Sequence, residues 1–166
     1  MCNYALKRWR ARPDIRFEVY VIRYLLTLYY KLFSIKVVKA IAEKHPEVEL
    51  IDATKTILKD LASYDLIGFA SGIFYGKLHK TLLSFIADNL PTHKKAFVIY
   101  TCGQDSSSYI KTAEELIKSK DASFAGFYSC PGYDTWGPFK LIGGKNKNHP
   151  DENDIEKAIQ FYENLI

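Results

Sequence analysis

At 166 residues, with 48% hydrophobic and 25% charged side chains, the chain is long enough to bury about two-thirds of its unfolded surface in a single core. Its three cysteines, Cys2, Cys102 and Cys130, have neither disulfide nor metal-ligand spacing, so free thiols in a reducing cytoplasm are expected. The formal charge of +4 sits at the start of the chain: Lys7, Arg8, Arg10, Arg12, Arg16, Arg23, Lys31 and Lys36 face only Asp14 and Glu18 there, and the remainder is mildly acidic. Nucleic acid is therefore not an expected partner, since the basic tail is not continued on the body of the protein.

The first apolar segment, FEVYVIRYLLTLYYKLF, follows that basic tail. Glu18, Arg23 and Lys31 interrupt it well short of the ~18 uncharged residues a membrane span requires, and no small-residue cleavage site follows. A cytoplasmic chain with no membrane association is expected. The segment starts with a strand, VYVIRY. From Lys36 the pattern alternates: KVVKAIAEKH has apolar residues at helical spacing and is stopped by Pro46, VELIDA reads as a strand ending in Asp52, and TILKDLASY as a short helix. DLIGFAS is a buried strand, KLHKTLLSFIADNL an amphipathic helix closed by Pro91, KAFVIYTCG a strand and SYIKTAEELIKSK a helix. SFAGFYSCPG is the last strand, and a loop from Pro131 to Asn153 leads into the helix DENDIEKAIQFYENLI.

Continuous apolar strands separated by helices of this length imply an α/β fold, a doubly wound parallel sheet covered on both faces. Residues 1–166 form one domain, of which 1–35 is an atypical basic N-terminal region. Such sheets bind ligands outside the carboxyl ends of their strands, which directs attention to two loops. The first is Ser71, Gly72, Ile73, Phe74, Tyr75, Gly76 and Lys77, where two glycines flank an aromatic pair. The second is Thr101, Cys102, Gly103, Gln104 and Asp105, followed by three serines and Tyr109. Plainer roles stand beside these. Phe74 and Tyr75 can pack on the next helix, Tyr109 can be a surface residue, Cys102 a small buried hydrophobe, Lys77 and His79 solvated helix-start residues, and Ser106 to Ser108 a helix cap.

Taken together, DLIGFASGIFYGKLHKTLLSFI, KKAFVIYTCGQDSSSY and GFYSCPGYDTWGPFKLIGG followed by HPDENDIEKAIQF resemble the flavodoxin family, in particular its short-chain members, over roughly residues 36 to 166. The second loop is the most specific match, being similar to a Cys-Gly-Asp-Ser-Ser-Tyr turn whose Tyr stacks on the flavin. The resemblance implies a flavodoxin-like sheet of five parallel strands in the order 2-1-3-4-5. It also implies FMN as cofactor, redox partner proteins, and cofactor contacts from Ser71 to Lys77, from Thr101, Cys102, Gly103 and Asp105, and from Tyr109. The chemistry agrees: a planar, amphipathic isoalloxazine needs aromatic faces and close backbone donors and acceptors, and glycine allows that approach.

One element of the family pattern is absent. A Thr/Ser-x-Thr-Gly-x-Thr loop after the first strand wraps the FMN phosphate in flavodoxins, yet LLTLYYKLFSIK contains no glycine, and its hydroxyl residues Thr27 and Ser34 lie seven apart. Losing three or four charge-assisted bonds at roughly 1.5–3 kcal/mol each takes an affinity near nanomolar to about micromolar or weaker, with Lys31 and Lys36 offering only point charges in return. Three functions are open at this stage: an FMN-binding electron carrier without a substrate pocket, a flavin-free module on the same fold, and an NAD(P)H-dependent FMN or quinone reductase. Tyr133, Trp136 and Phe139 in the long loop either cover a sheet edge or present a docking surface.

Overall fold

A computed structural model describes residues 17–21, 33–53, 60–134 and 137–166. The basic tail, the segment containing Thr27 and Lys31, residues 54–59 and Trp136 lie outside the described residues. Among the described residues, six strands, β1 (Phe17–Val21), β2 (Val48–Asp52), β3 (Leu66–Phe74), β4 (Lys77–Leu78), β5 (Lys95–Cys102) and β6 (Ser123–Pro131), accompany four α-helices, α1 (Phe33–Lys44), α2 (Lys80–Asn89), α3 (Lys111–Ser119) and α4 (Glu152–Glu163). Strands β2-β1-β3-β5-β6 run parallel in that spatial order. Counted alone they reproduce the 2-1-3-4-5 arrangement. The sixth strand departs from the five-stranded expectation: β4 pairs antiparallel with the end of β3, so Phe74 opposes Lys77 and Ile73 opposes Leu78.

The sheet is central because its strands are apolar on both faces. Ile67, Phe69, Val98 and Tyr100 bury against Leu82, Phe85 and Ile86 of α2 and Ala113 and Ile117 of α3. Leu66, Ala70, Phe97 and Ile99 bury against Val37, Val38 and Ile41 of α1 and Ala158 and Tyr162 of α4. The period-two alternation of each strand thus feeds two separate cores. Helix α4 begins with a reciprocal cap, in which Asp151 accepts from the Asp154 amide and Asp154 from the Asp151 amide. Pairing of β5 with β6 shifts register between Ala96 and Val98, where Gly126 adopts φ 115°. This bulge twists the edge strand away from further pairing.

The segment expected to be a short helix before β3 is described only at its end, where Tyr64 N–H donates to Leu61 O in a turn (3.2 Å). Among the described residues, no helix is long and apolar enough to cross a membrane.

Gly68 is demanded by packing. It pairs with Phe97 across β3 and β5, and a Cβ at Gly68 would overlap the buried Phe97 ring. Gly68→Ala should therefore destabilise the protein by about 1–3 kcal/mol through overpacking, read as a lower denaturant midpoint at unchanged m-value. A stability equal to that of the parent protein would show that the ring can move aside.

Candidate functional site at the carboxyl ends of β3 and β5

Beyond Gly72, the last residue it pairs with β5, β3 continues into the β3–β4 hairpin. Its two turn residues, Tyr75 (φ 51°) and Gly76 (φ 75°), both occupy the left-handed region, the requirement of a type I′ turn. Asn or Gly is the usual first residue of such a turn. Tyrosine there costs roughly 1–2 kcal/mol, and its side chain is 90% exposed. Phe74 behaves differently: its ring lies edge-on to His79 at 5.1 Å, and a Cβ on Gly72 would touch it at 3.5 Å.

The hairpin is braced by a buried polar cluster. Ser71 Oγ donates to Gly72 O (2.7 Å) and accepts from His79 N–H (3.2 Å). His79 is the N-cap of α2, with Nδ1 accepting from Thr81 N–H (3.2 Å). It is buried rather than solvated, which corrects the sequence expectation for this residue; Lys77 is exposed as expected but lies in β4 rather than at the start of a helix. Burial, followed by the charge of Lys80, lowers the pKa of His79.

The second loop is organised by Asp105. Tyr100 OH donates to Asp105 Oδ1 (2.7 Å) and Ser129 Oγ to Oδ2 (3.0 Å). Thr101 and Cys102 are buried, and burial, then the negative charge of Asp105, pushes the Cys102 thiol up to about 12. Cys130 is pushed up to about 12 as well, mainly by burial. The two thiols belong to the cores on opposite faces of the sheet, so they form neither a dithiol pair nor a metal site. Ser106 Oγ accepts from Ser108 N–H and caps a single 3-10 turn, Ser107–Tyr109. That turn delivers a half-buried Tyr109, edge-on to Tyr100 at 6.3 Å.

The two loops meet. The Tyr109 ring comes within 3.8 Å of the position a Cβ on Gly76 would take. A third segment completes the edge. The space of the missing Gly103 side chain is filled by the Asp134 carboxylate, Asp134 and Lys145 exchange backbone bonds (2.9 and 2.7 Å), and Asn146 Nδ2 donates to Gly103 O (3.0 Å) and Gly132 O (3.4 Å). Sequence reasoning did not single out Ser129, Asp134 or Asn146. The available signal was GGKNKN, whose Asn146 adopts φ 58°, but its contact with Gly103 spans 43 residues and leaves no local pattern.

Two cavities differ in relevance. One of about 90 Å³, lined by Cys102, Gly103, Asp105, Ser129, Cys130 and Pro131, has room for a few waters. One of about 480 Å³ lies at the other end of the strands, between Asp60–Ala62 and Asp88–Pro91.

A flavodoxin domain model matches residues 33–136. The chain belongs to the flavodoxin domain family. It is 40% identical over 133 residues to an uncharacterized protein, MJ0298, of Methanocaldococcus jannaschii, spanning 79% of this chain and 88% of that one. Among solved structures it is similar to a flavodoxin from the domain Archaea (TM-score 0.56, 14% identity, 90% of this chain and 98% of that one). It is also similar to the Streptococcus pneumoniae TIGR4 flavodoxin (TM-score 0.58, 16% identity, 90% and 96%). These structural likenesses show the flavodoxin-like fold, and the family implies a flavin cofactor.

The lowered pKa of His79 carries a sign. The unfolded chain takes up the proton near pH 6.5 and the folded one only at lower pH, so stability contributed here is present above about 6.5 and is lost as pH falls below it. Urea unfolding at pH 7.5 and 5.5 should show this loss. His79→Asn, which keeps a capping acceptor, should reduce the pH dependence; an identical dependence in both proteins would remove His79 as its source.

Proposed function

We propose that this chain binds FMN at the edge formed by the two loops and carries electrons between larger redox proteins. The observation that carries the reading is the meeting of the Tyr75–Gly76 turn with Tyr109. This juxtaposition sets aromatic side chains and a positive-φ glycine side by side at the strand ends of a flavodoxin-family sheet.

The residues present fit the group. Of the two glycines, only Gly76 has a positive φ, so it is the position where the main chain can approach a ring edge in a conformation a side chain resists. Gly72 O already accepts from Ser71, which fixes that peptide. Tyr109 and the exposed Tyr75 offer aromatic faces, and the Asp105 network holds Cys102 and Gly103 in place. Ser34, in the first turn of α1, is buried with a hydroxyl that has no hydrogen-bond partner among the described residues. Together with the free amides of that turn it supplies a phosphate contact. Lys36 is committed elsewhere, donating to Pro150 O at 2.7 Å. Bound FMN supplies one- and two-electron redox chemistry; the chain supplies stacking, backbone contacts and exclusion of water from the buried side of the edge.

Because the grip on the phosphate relies on Ser34 and one helical turn, FMN should bind in about the micromolar range and only about tenfold more tightly than riboflavin. Titration of the purified protein with each, followed by flavin fluorescence, measures this. No quenching by either would sink the flavin reading, and steady NADPH oxidation by the reconstituted protein without a partner would favour a reductase over a carrier.

Tyr75 gives a second, sharper test. Tyr75→Asn suits the left-handed turn and should raise stability by roughly 1 kcal/mol. It also removes an aromatic face worth roughly 0.5–1.5 kcal/mol, so flavin affinity should fall about two- to twelvefold. Gained stability with unchanged affinity would show that Tyr75 does not stack on the ring.

A further inference from the structure

The excursion between β6 and α4 shows its apolar side chains to solvent. Leu141 is 89% and Ile142 71% exposed, although Phe139 beside them is half-buried beneath Lys145, whose Nζ sits 5.6 Å above its ring. The exposure is held in place by the fold. Gly144 N–H donates to Phe139 O (2.7 Å) and Gly143 N–H to Lys140 O (3.3 Å). Tyr133 OH donates to Gly143 O (2.9 Å), and its ring packs edge-on against Phe33 of α1. Two adjacent aliphatic side chains are thus displayed on a braced loop, an apolar centre that a partner surface can cover.

The charges on this stretch of chain have one sign. Lys140 and Lys147 are exposed and Lys145 partly so, and no acidic residue occurs between Asp134 and Asp151. The mildly acidic remainder of the chain makes this a local basic feature with an apolar centre. Its place is next to the candidate flavin edge: Lys145 is bridged to Asp134, which fills the space at Gly103, and Asn146 holds the Gly103 carbonyl.

We infer that Leu141 and Ile142, together with Lys140, Lys145 and Lys147 of the same excursion, form the docking surface for an acidic redox protein whose own contact face has an apolar centre. The inference rests on the electron-carrier reading. Opposite charges steer the encounter and set orientation, while the two aliphatic side chains lose water only on contact, the usual division between rim and centre. A protein is favoured over a lipid surface because the patch has just two aliphatic residues to insert and lies beside the edge at which electrons leave.

The test measures binding directly, so it reads out whether or not flavin is bound. A strongly acidic plant-type [2Fe–2S] ferredoxin serves as probe, with calorimetric titration at about 20 and 200 mM salt and zero-length carbodiimide cross-links mapped by mass spectrometry. Binding should weaken by tenfold or more between the two salts, and cross-links should fall on Lys140, Lys145 or Lys147. Lys140→Glu with Lys147→Glu should weaken binding at low salt by at least tenfold, and Leu141→Ser with Ile142→Ser by a similar factor at both salts. All four side chains are exposed, so thermal unfolding should be unchanged. No binding by the parent protein, or binding indifferent to both pairs, overturns the inference. So does tighter binding to vesicles of phosphatidylcholine and phosphatidylglycerol (3:1), or a dimer of this chain that the same substitutions dissolve. If flavin titration fails while these results hold, the carrier reading falls and the docking surface stands.

Discussion

The parallel pairing of β3 with β5, from Leu66 opposite Lys95 to Gly72 opposite Thr101, is the constraint on which the site depends. A parallel ladder puts the carboxyl ends of both strands at one edge of the sheet, so whatever follows each strand must meet there. Register does the rest. Because side chains alternate, a slip of one residue would turn Ile67 and Phe69 into the other core and move Gly68 off the Phe97 ring. The close approach of Gly68 to Phe97 locks the pairing, and the meeting of Tyr109 with Gly76 at the far end is its downstream consequence.

From that edge the loops are shaped by buried polar groups that must find partners. Tyr100 is fully buried and its hydroxyl cannot be left unpaired, at a cost of about 1–3 kcal/mol. It reaches Asp105, which also accepts from Ser129. One core tyrosine thereby sets the path of the chain from Cys102 to Ser106, and the same carboxylate joins β5 to β6. Ser71 acts in the same way for the hairpin, closing Gly72 O and His79 N–H together. The positions of Gly76 and Tyr109 are therefore set by hydrogen bonds made inside the protein, independent of any ligand.

The layered architecture was legible because the strand runs are continuous and apolar and the helices are bounded by Pro46 and Pro91. The hairpin was not. GIFYGK lacks the Asn-Gly or Asp-Gly pair that marks a type I′ turn, and a tyrosine in the left-handed region is a choice local propensity argues against. His79 was misread for a related reason: a histidine at a helix start is ordinarily solvated, but the two strand residues before it fold the chain back and bury it beneath Phe74. Tyr109 is placed by its own short loop, so its position at the strand ends is readable locally, whereas Asp134 and Asn146 depend on contacts between segments far apart in sequence, which no spacing rule records.

The two ends of the sheet are finished with different side chains. At the amino ends, Lys94 donates to Ala62 O and Lys95 to Leu165 O, both at 2.6 Å; lysine heads cover open carbonyls there, and the non-glycine residues at positive φ, His93 (59°) and Asp121 (53°), are of types that tolerate that region and are joined by a bond from His93 N–H to Asp121 O (2.9 Å). At the carboxyl ends the chain keeps a tyrosine at positive φ with its ring in water, and the excursion packed on that edge displays Leu141 and Ile142. Folding alone favours neither arrangement, since asparagine would suit the turn and polar residues the excursion. Positive φ in a non-glycine residue thus occurs at both ends, and what sets the carboxyl edge apart is that one such residue there is a bulky, solvent-exposed tyrosine, with two exposed aliphatic side chains on the excursion packed beside it. In a sheet of this topology that edge is also the one where ligands bind, so the exposed apolar side chains that folding does not require stand where a ligand or partner would meet them.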